Sequence, residues 1–289
     1  MLVRNALEAI GRPPYFLDQH SVLETEVTLS VSNQVGGQIR SAGQCLDLME
    51  VSALYLRPYE TQRIPRVLQT GQASPGWVGA MQTDDALSSW ADLMPGLVVN
   101  RPRFMAVNSS KPFQCTQIQK FFEVPRTLIT TDPAQVHEFR KECGAVIYKS
   151  ISSVRSIVAQ LMPEDTRIED VVWCPTQFQE LIRGVDYRVH VVGGDVFACR
   201  ILSNADDYRY AGRHGHTADI ESCEIPAEVA QSCIDVSHDM GLVVSGVDLR
   251  QSEDGRWYCF EVNPSPGFEY FQRTSGQDIA SSVARLLSG

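Results

Sequence analysis

Residues 245–267 read SGVDLRQSEDGRWYCFEVNPSPG. Two β-type runs flank Asp254-Gly255. Asp-Gly between such runs is a strong hairpin signal, because both residues tolerate positive φ. With those two residues as the loop, Glu253 pairs with Arg256, and counting outward sets Asp248 opposite Glu261. Directly opposed residues of an antiparallel pair lie roughly 4.5–5.5 Å apart at Cβ and share a face. Asn263, two residues beyond Glu261, returns to that face. Two carboxylates and a carboxamide therefore converge, the hard oxygen donors that Mg²⁺ accepts together with phosphate oxygens. An exposed hairpin with solvated acids would also carry such a pair. Here, however, Asp248 lies in LVVSGVDL and Glu261 in WYCFEV, and isolated carboxylates in buried strands are costly unless paired or metal-bound. A one-residue bulge would break the count.

GVDLR followed by FEVNPSPG resembles the C-terminal metal motif of ATP-grasp enzymes of the RimK type. The resemblance implies Mg²⁺ ions, with Mn²⁺ as an alternative, bridging the phosphates of ATP and held by Asp248, Glu261 and Asn263. It implies an α/β (α+β) architecture: a pre-grasp-like α/β domain over residues 1–103 and an ATP-grasp domain over 104–289. The latter divides into a small lobe of about 111–183 and a metal-binding lobe of about 184–289. The family's pre-grasp domain begins with a strand. This chain starts at a helix, so that first strand is expected to be lacking.

The composition is that of an ordinary soluble globular protein: 289 residues, 43% hydrophobic and 21% charged, long enough for two domains. A net charge of −10 argues against a broad nucleic-acid surface, so any nucleotide site must be locally positive. Eight scattered cysteines without a CxxC read as reduced core thiols of a cytoplasmic protein rather than a disulfide or zinc framework. No signal peptide and no apolar run of membrane-spanning length is visible.

In the N-terminal region, helices are expected at Leu2–Ile10, with Leu2, Ala6, Leu7 and Ile10 on the packing face, and at Trp77–Leu93. Short strands are expected at Tyr15–Leu17, Val27–Val31, Gly37–Ile39, Leu54–Leu56 and Leu97–Val99. Beyond it, Ser110 caps a helix over Lys111–Phe122, and Asp132 with Pro133 starts another that ends at Gly144. Val124–Thr130, Ala145–Ser150 and Pro175–Ile182 read as strands, Pro163–Asp170 as an exposed acidic loop. Gly184–Val192, Gly193-Gly194 and Asp195–Leu202 form a second hairpin. Helices over Pro226–Met240 and Gln277–Leu287 complete the chain, with the Pro264–Gly267 turn holding Asn263.

Several residues on these elements match the family's nucleotide site. VNSSKP resembles the start of the ATP-grasp domain, where the lysine, here Lys111, approaches ATP; a solvated first-turn lysine is the plain alternative. Lys149 sits inside the apolar strand AVIYKS, and an ammonium there can donate to phosphate oxygens, although a lysine can also snorkel from a strand end. The resemblance makes Glu180, Leu181 and Ile182 the adenine connector and Asp186 the ribose-side acid. Arg188 and Arg200 lie in strands near the expected phosphate region, where an arginine fork suits phosphate and salt bridges to nearby acids suit equally. His190, in an apolar strand, reads as a core histidine. Where the family has a glycine-rich lid, this chain has SISSVRS, 150–156. That serine-rich version, and DYR at 207–209, look like ATP-grasp maturases of ribosomally made peptides. In those, the arginine, here Arg209, neutralises charge on the transferring phosphoryl group.

The resemblance implies an ADP-forming carboxylate–amine ligase working through an acyl phosphate, with Lys149 and Arg209 as catalytic cations and a peptide or protein as substrate. RimK-like glutamate addition is a close variant. The alternative is a nucleotide-binding module without turnover. Retention of both acids opposes it, because an unused pair of buried acids is a liability.

Overall fold

Residues 244–263 form two strands at one side of a five-stranded antiparallel sheet, and the rest of the C-terminal unit is arranged around that sheet. The computed structural model describes residues 1–150, 158–162, 165–203 and 218–289. By internal packing the chain forms two compact units, Met1–Met105 with Ala280–Gly289, and Ala106–Ile279.

The first unit begins with α1 (Leu2–Ala9), followed by an antiparallel meander of β1 (Glu26–Val31), β2 (Val35–Ser41) and β3 (Gln44–Asp47). Then come β4 (Ala53–Tyr55), α2 (Pro65–Thr70), α3 (Pro75–Leu93), β5 (Leu97–Val99) and α4 (Pro102–Met105). β4 and β5 pair in parallel. Ile39, Leu48, Trp90, Met94 and Val98 form a core between meander and α3, each contributing about 1.5–3 kcal/mol on full burial. Ser74 caps α3 by accepting from the Trp77 N–H at 3.0 Å. At its other end Arg101 donates to the carbonyls of Ala91, Asp92, Met94 and Gly96 at 2.9–3.0 Å. A cation there satisfies orphan carbonyls and opposes the negative end of the helix dipole.

Two details of this unit differ from expectation. Tyr15–Leu17 has no strand pairing. In α1 the buried residues are Val3 and Leu7, while Ile10 is 47% exposed, because the helix stops one residue short of it.

The second unit opens with α5 (Lys111–Ile118), capped by Ser110, whose Oγ accepts from the Phe113 N–H at 3.4 Å. α5 ends four residues before Phe122. A four-stranded antiparallel sheet follows, built from β6 (Thr127–Thr130), β7 (Val146–Ser150), β8 (Ala159–Gln160) and β9 (Thr176–Glu180) in the order β6-β9-β7-β8. α6 (Pro133–Cys143) is capped by Asp132, which accepts from Ala134 N–H at 2.9 Å, and stops at Gly144 with φ 77°. It packs Val136 and Phe139 against Val146 and Phe178. The expected acidic loop is corrected: Thr166–Trp173 is a run of 3₁₀ turns burying Ile168 and Val171 in the same core.

The five-stranded sheet contains β10 (Gly184–Val192), β11 (Asp195–Ser203), β12 (Ala218–Ser222), β13 (Val244–Ser252) and β14 (Trp257–Asn263), ordered β12-β11-β10-β13-β14. α7 (Ala227–Asp239) covers one face with Val229, Cys233 and Val236, and Ser237 meets Ser245 of β13 hydroxyl to hydroxyl at 2.7 Å. α8 (Glu269–Ser275), not foreseen from the sequence, packs Phe271 against Cys199, Ile201 and Ile220 on the other face. β14 is an outer strand, and the Gln114 carboxamide of α5 acts as a neighbouring strand for it. Its Nε2 donates to Val262 O at 2.8 Å, and its Oε1 accepts from Val262 N–H at 3.1 Å. α9 (Ile279–Ser288) closes the chain, and its last nine residues cluster with the first unit.

All eight cysteines are free thiols. Cys199, Cys233 and Cys259 are core residues as expected, whereas Cys45 and Cys174 are exposed. Among the described residues no helix is long and apolar enough to cross a membrane.

Candidate active site

The β13–β14 hairpin places Asp248 opposite Glu261, and Gly246 opposite Asn263. The route to that register is not the one counted from the sequence. The loop holds three residues, Glu253, Asp254 and Gly255, since the Ser252 N–H donates to Arg256 O at 2.9 Å and Gly255 takes φ 86°. Glycine in that conformation is what a three-residue hairpin needs. The extra loop residue shifts pairing by one, giving Gln251↔Trp257 through Leu249↔Cys259. A bulge at Phe260 then shifts it back.

Like charges directly opposite each other destabilise a sheet, and flanking cations offset the Asp248–Glu261 pair on both sides. Arg188, opposite Asp248 on β10, donates from Nη1 to Oδ1 at 2.6 Å. Lys111, at the start of α5, donates to Glu261 Oε1 at 2.5 Å and to Asn108 Oδ1 at 3.2 Å. Two register steps along, Arg250 on β13 faces Asp186 on β10 and holds it through both oxygens, Nε to Oδ1 at 2.7 Å and Nη2 to Oδ2 at 2.8 Å. Each of the three acids is thus paired with its own cation, two from the sheet and one from α5. Charge-assisted bonds of this length are the strong class of hydrogen bond.

Two features make room for Arg188. A Cβ at Gly246 would lie 2.2 Å from Arg188 Nη2 and 2.8 Å from Pro266 Cβ, so only glycine lets the guanidinium pass. Beneath it, Phe271 presents its ring 5.9 Å from Arg188 Cζ, and His190 stacks edge-on against the same ring at 5.0 Å. Burial, with a smaller effect from Arg188, pushes the His190 pKa down to about 3. The ring is neutral at working pH and adds no charge beside the arginine, as expected of a core histidine. Asn263 is oriented by its own turn, its Oδ1 accepting from the Ser265 N–H at 3.0 Å. Arg200 takes the second of its two expected roles: it faces Tyr187, one step out of phase with Arg188, and pairs with Glu221 at the surface.

The segment after β9 is fixed at defined points. Glu180 N–H donates to Arg126 O at 2.9 Å, and Leu181 N–H to Ala145 O at 3.0 Å. The Ile182 carbonyl accepts from Arg250 Nη1 at 2.7 Å. Lys149, on β7, lies opposite Gln177 of β9. Burial raises the Cys115 thiol pKa, while Lys149 and then Lys111 pull it down, so both ammonium groups act on one point of α5. Arg209 and residues 151–156 of the serine-rich loop lie outside the described residues.

Sequence reasoning assigned no role to Arg250 or Gln114. The signal for Arg250 was present: period-two alternation puts it on the face of Asp248. Gln114 carried no local signal, because its partner lies 148 positions away.

The RimK-like ATP-grasp domain family matches residues 108–287. The chain belongs to this family. A probable alpha-L-glutamate ligase 2 of Pseudoalteromonas atlantica is 27% identical over 181 residues, 58% of this chain and 59% of that protein. The chain thus spans less than two-thirds of the length of such curated relatives. The ATP-grasp ligase PsnB, solved with a phosphomimetic variant of its minimal precursor, Mg and ADP, superposes with a TM-score of 0.83 at 28% identity. The match covers 99% of this chain and 93% of PsnB. The macrocyclase MdnC from Microcystis aeruginosa MRC, solved with precursor peptide MdnA, has the same fold at 22% identity and TM-score 0.83, over 99% and 94% of the two chains. Within the RimK-like frame the donor set fits Mg²⁺. It is all oxygen, it lies on one strand pair, and its acids keep partial exposure at 21% for Asp248 and 20% for Glu261.

Proposed function

We propose that this chain is an ATP- and Mg²⁺-dependent carboxylate–amine ligase that modifies a peptide or protein in the cytoplasm. The observation that carries the reading is Asp248 set opposite Glu261, each in contact with a cation, with Asn263 on the same strand. Asp248, Glu261 and Asn263 would hold the metal, which when bound offsets phosphate charge and orients the γ-phosphoryl group. Lys111 and Lys149 approach the phosphates, and Arg188 fixes Asp248 beside them. Glu180, Leu181 and Ile182 receive the adenine. With Leu181 N–H and Ile182 O already engaged, the Ile182 N–H is the donor for a base edge. Asp186 takes the ribose, and Arg209 remains the proposed cation at the transferring group.

A substrate carboxylate oxygen attacks the γ-phosphorus and ADP leaves, giving an acyl phosphate. An amine then attacks the carbonyl carbon, the C–O bond to phosphate breaks, and the amine loses a proton. No protein nucleophile is needed. The peptide substrate is supported by PsnB, 28% identical and solved with a precursor. The curated glutamate ligases support the ligase class and leave glutamate addition as a variant of the same chemistry.

The test is thermal unfolding with Mg²⁺ alone and with Mg·ATP, for the wild type and Asp248→Asn. A ligand at 100 times its Kd stabilises by roughly 2.7 kcal/mol, a shift of a few degrees at this size. The wild type is expected to shift with Mg·ATP and Asp248→Asn not to. No shift in the wild type refutes the ATP reading. A shift without peptide-dependent ADP release across a precursor-peptide panel would leave a binding module.

A further inference from the structure

We propose that Arg250 is the positioning residue for the adenosine end of the nucleotide, locking the base connector and the ribose-side acid to the metal strand as one rigid part. The inference rests on the ATP reading above and adds a residue to which that reading gives no task.

The geometry is a three-way clamp. One edge of the guanidinium holds both Asp186 oxygens, at 2.7 and 2.8 Å. The remaining nitrogen, Nη1, holds the Ile182 carbonyl at 2.7 Å. Its plane is supported by the Phe260 ring, centred 5.3 Å from Cζ. Phe260 is the bulged residue, so the irregularity that sets Asp248 against Glu261 also supplies the ring beside Arg250. The clamp is partly buried, with side-chain exposures of 18% for Arg250 and 20% for Asp186, and water competes with it only weakly.

The backbone reinforces this. Gly184, where the connector becomes β10, would place a Cβ 2.0 Å from Gln251 O, so connector and β13 meet without a side chain between them. Arg250 therefore sits two register steps from the metal pair, on the same strand and face as Asp248, and grips the segment that meets the base.

The clamp has a chemical consequence. With the Leu181 N–H held by Ala145 O and the Ile182 carbonyl held by Arg250, the peptide unit between Leu181 and Ile182 has a fixed orientation, and its N–H is a donor for the acceptor ring nitrogen of adenine. Guanine presents an N–H at that ring position, and the contact turns repulsive. Arg250 never touches the base in this scheme. It fixes which backbone groups the base meets, and it orients the Asp186 carboxylate, whose remaining lone pairs face the ribose hydroxyls. Lysine cannot replace it, because a point charge cannot hold two oxygens of one carboxylate and a third carbonyl in one plane.

The experiment is equilibrium binding of Mg·ATP, Mg·GTP and Mg·tripolyphosphate to the full chain, for the wild type, Arg250→Met and Arg250→Lys. Loss of a bidentate, charge-assisted contact predicts roughly 10- to 100-fold weaker Mg·ATP binding in Arg250→Met. The preference for ATP over GTP should narrow, and Mg·tripolyphosphate should stay within about twofold of wild type. Arg250→Lys should recover little of the ATP affinity. If Arg250→Met does not fold, Phe260→Leu, which removes the supporting ring and keeps an apolar side chain, should show the same selectivity change at smaller amplitude. Equal weakening of all three ligands, or unchanged ATP affinity in a folded Arg250 variant, overturns the proposal. A wild type that binds tripolyphosphate but prefers no base overturns it too. A wild type that binds no Mg·ATP instead overturns the ligase reading itself.

Discussion

The β10–β11 hairpin turns on Gly193-Gly194 and keeps one register from Val192↔Asp195 to Asp186↔Ile201. The β13–β14 hairpin beside it has a three-residue loop, a bulge at Phe260 and two registers. Both contribute to one charged face, yet the candidate metal donors all come from the irregular one. A regular hairpin spaces its side chains evenly, with one residue opposite one. The irregular hairpin puts Phe260 and Glu261 together where a regular strand would offer a single residue, so a ring that supports Arg250 and a carboxylate opposite Asp248 occupy adjacent positions. A bulge re-aims side chains in this way, at the cost of a local break in the ladder.

The comparison breaks most sharply on deletions. Removing Phe260 abolishes the bulge but preserves the Asp248–Glu261 pairing, so only the packing beside Arg250 is lost. Mg·ATP affinity is expected to fall by about three- to tenfold, less than for loss of Arg250 itself, because the charge-assisted contacts of the guanidinium remain but lose their supporting ring. Removing Glu253 converts the loop to the two-residue Asp-Gly form that hairpins favour and should leave affinity within about twofold. Calorimetric titration of the two deletions decides this, and equal effects would mean that the bulge is passive.

Glycine substitutions sharpen the contrast in stability. Gly246→Ala drives a methyl into Arg188 and Pro266 and should cost about 1–3 kcal/mol, as overpacking does. Gly194→Ala, in the regular turn, meets nothing within 4 Å and should stay within about 0.5 kcal/mol. Urea unfolding of both variants gives the two values directly.

At neutral pH the smallest effect is expected at His190, on the regular hairpin. Its pKa is lowered from 6.5 to about 3, so the unfolded chain binds a proton there that the folded chain refuses. Stability from this group is complete above pH 6.5 and is lost as pH falls from 6.5 toward 3, by up to about 1.4 kcal/mol per pH unit. His190→Phe should flatten the stability profile over that window and change little above it. An unchanged slope would show that His190 takes up its proton while folded.

The Asp248–Glu261 pairing is legible in the sequence, but not the whole path to it. Asp248 and Glu261 were paired correctly although the loop was counted one residue short, because the bulge at Phe260 cancels that error. Local chemistry was legible where it is self-contained: the Ser110, Asp132 and Gly193-Gly194 signals each sit at the element boundary that they imply. Interactions between distant segments were not. Nothing in the run around Lys111 points to Glu261, 150 residues on, and nothing in Asp186 announces Arg250, 64 residues away. α8 was missed because seven residues after a Pro-Ser-Pro-Gly turn carry too little periodicity to stand out.

Gln114 carries a consequence of another kind. An outer strand normally avoids recruiting a second chain by bearing a lysine, a proline or a twist that spoils further pairing. β14 has little freedom to do so along Glu261–Asn263, where two of the three side chains are candidate metal donors. The defence comes instead from a helix, through one carboxamide bonded to both the N–H and the carbonyl of Val262. Loss of that amide would bare a strand edge without altering a single proposed donor. A defect there would surface as aggregation and poor yield, and a Mg·ATP titration of the surviving soluble fraction would look like that of the wild type.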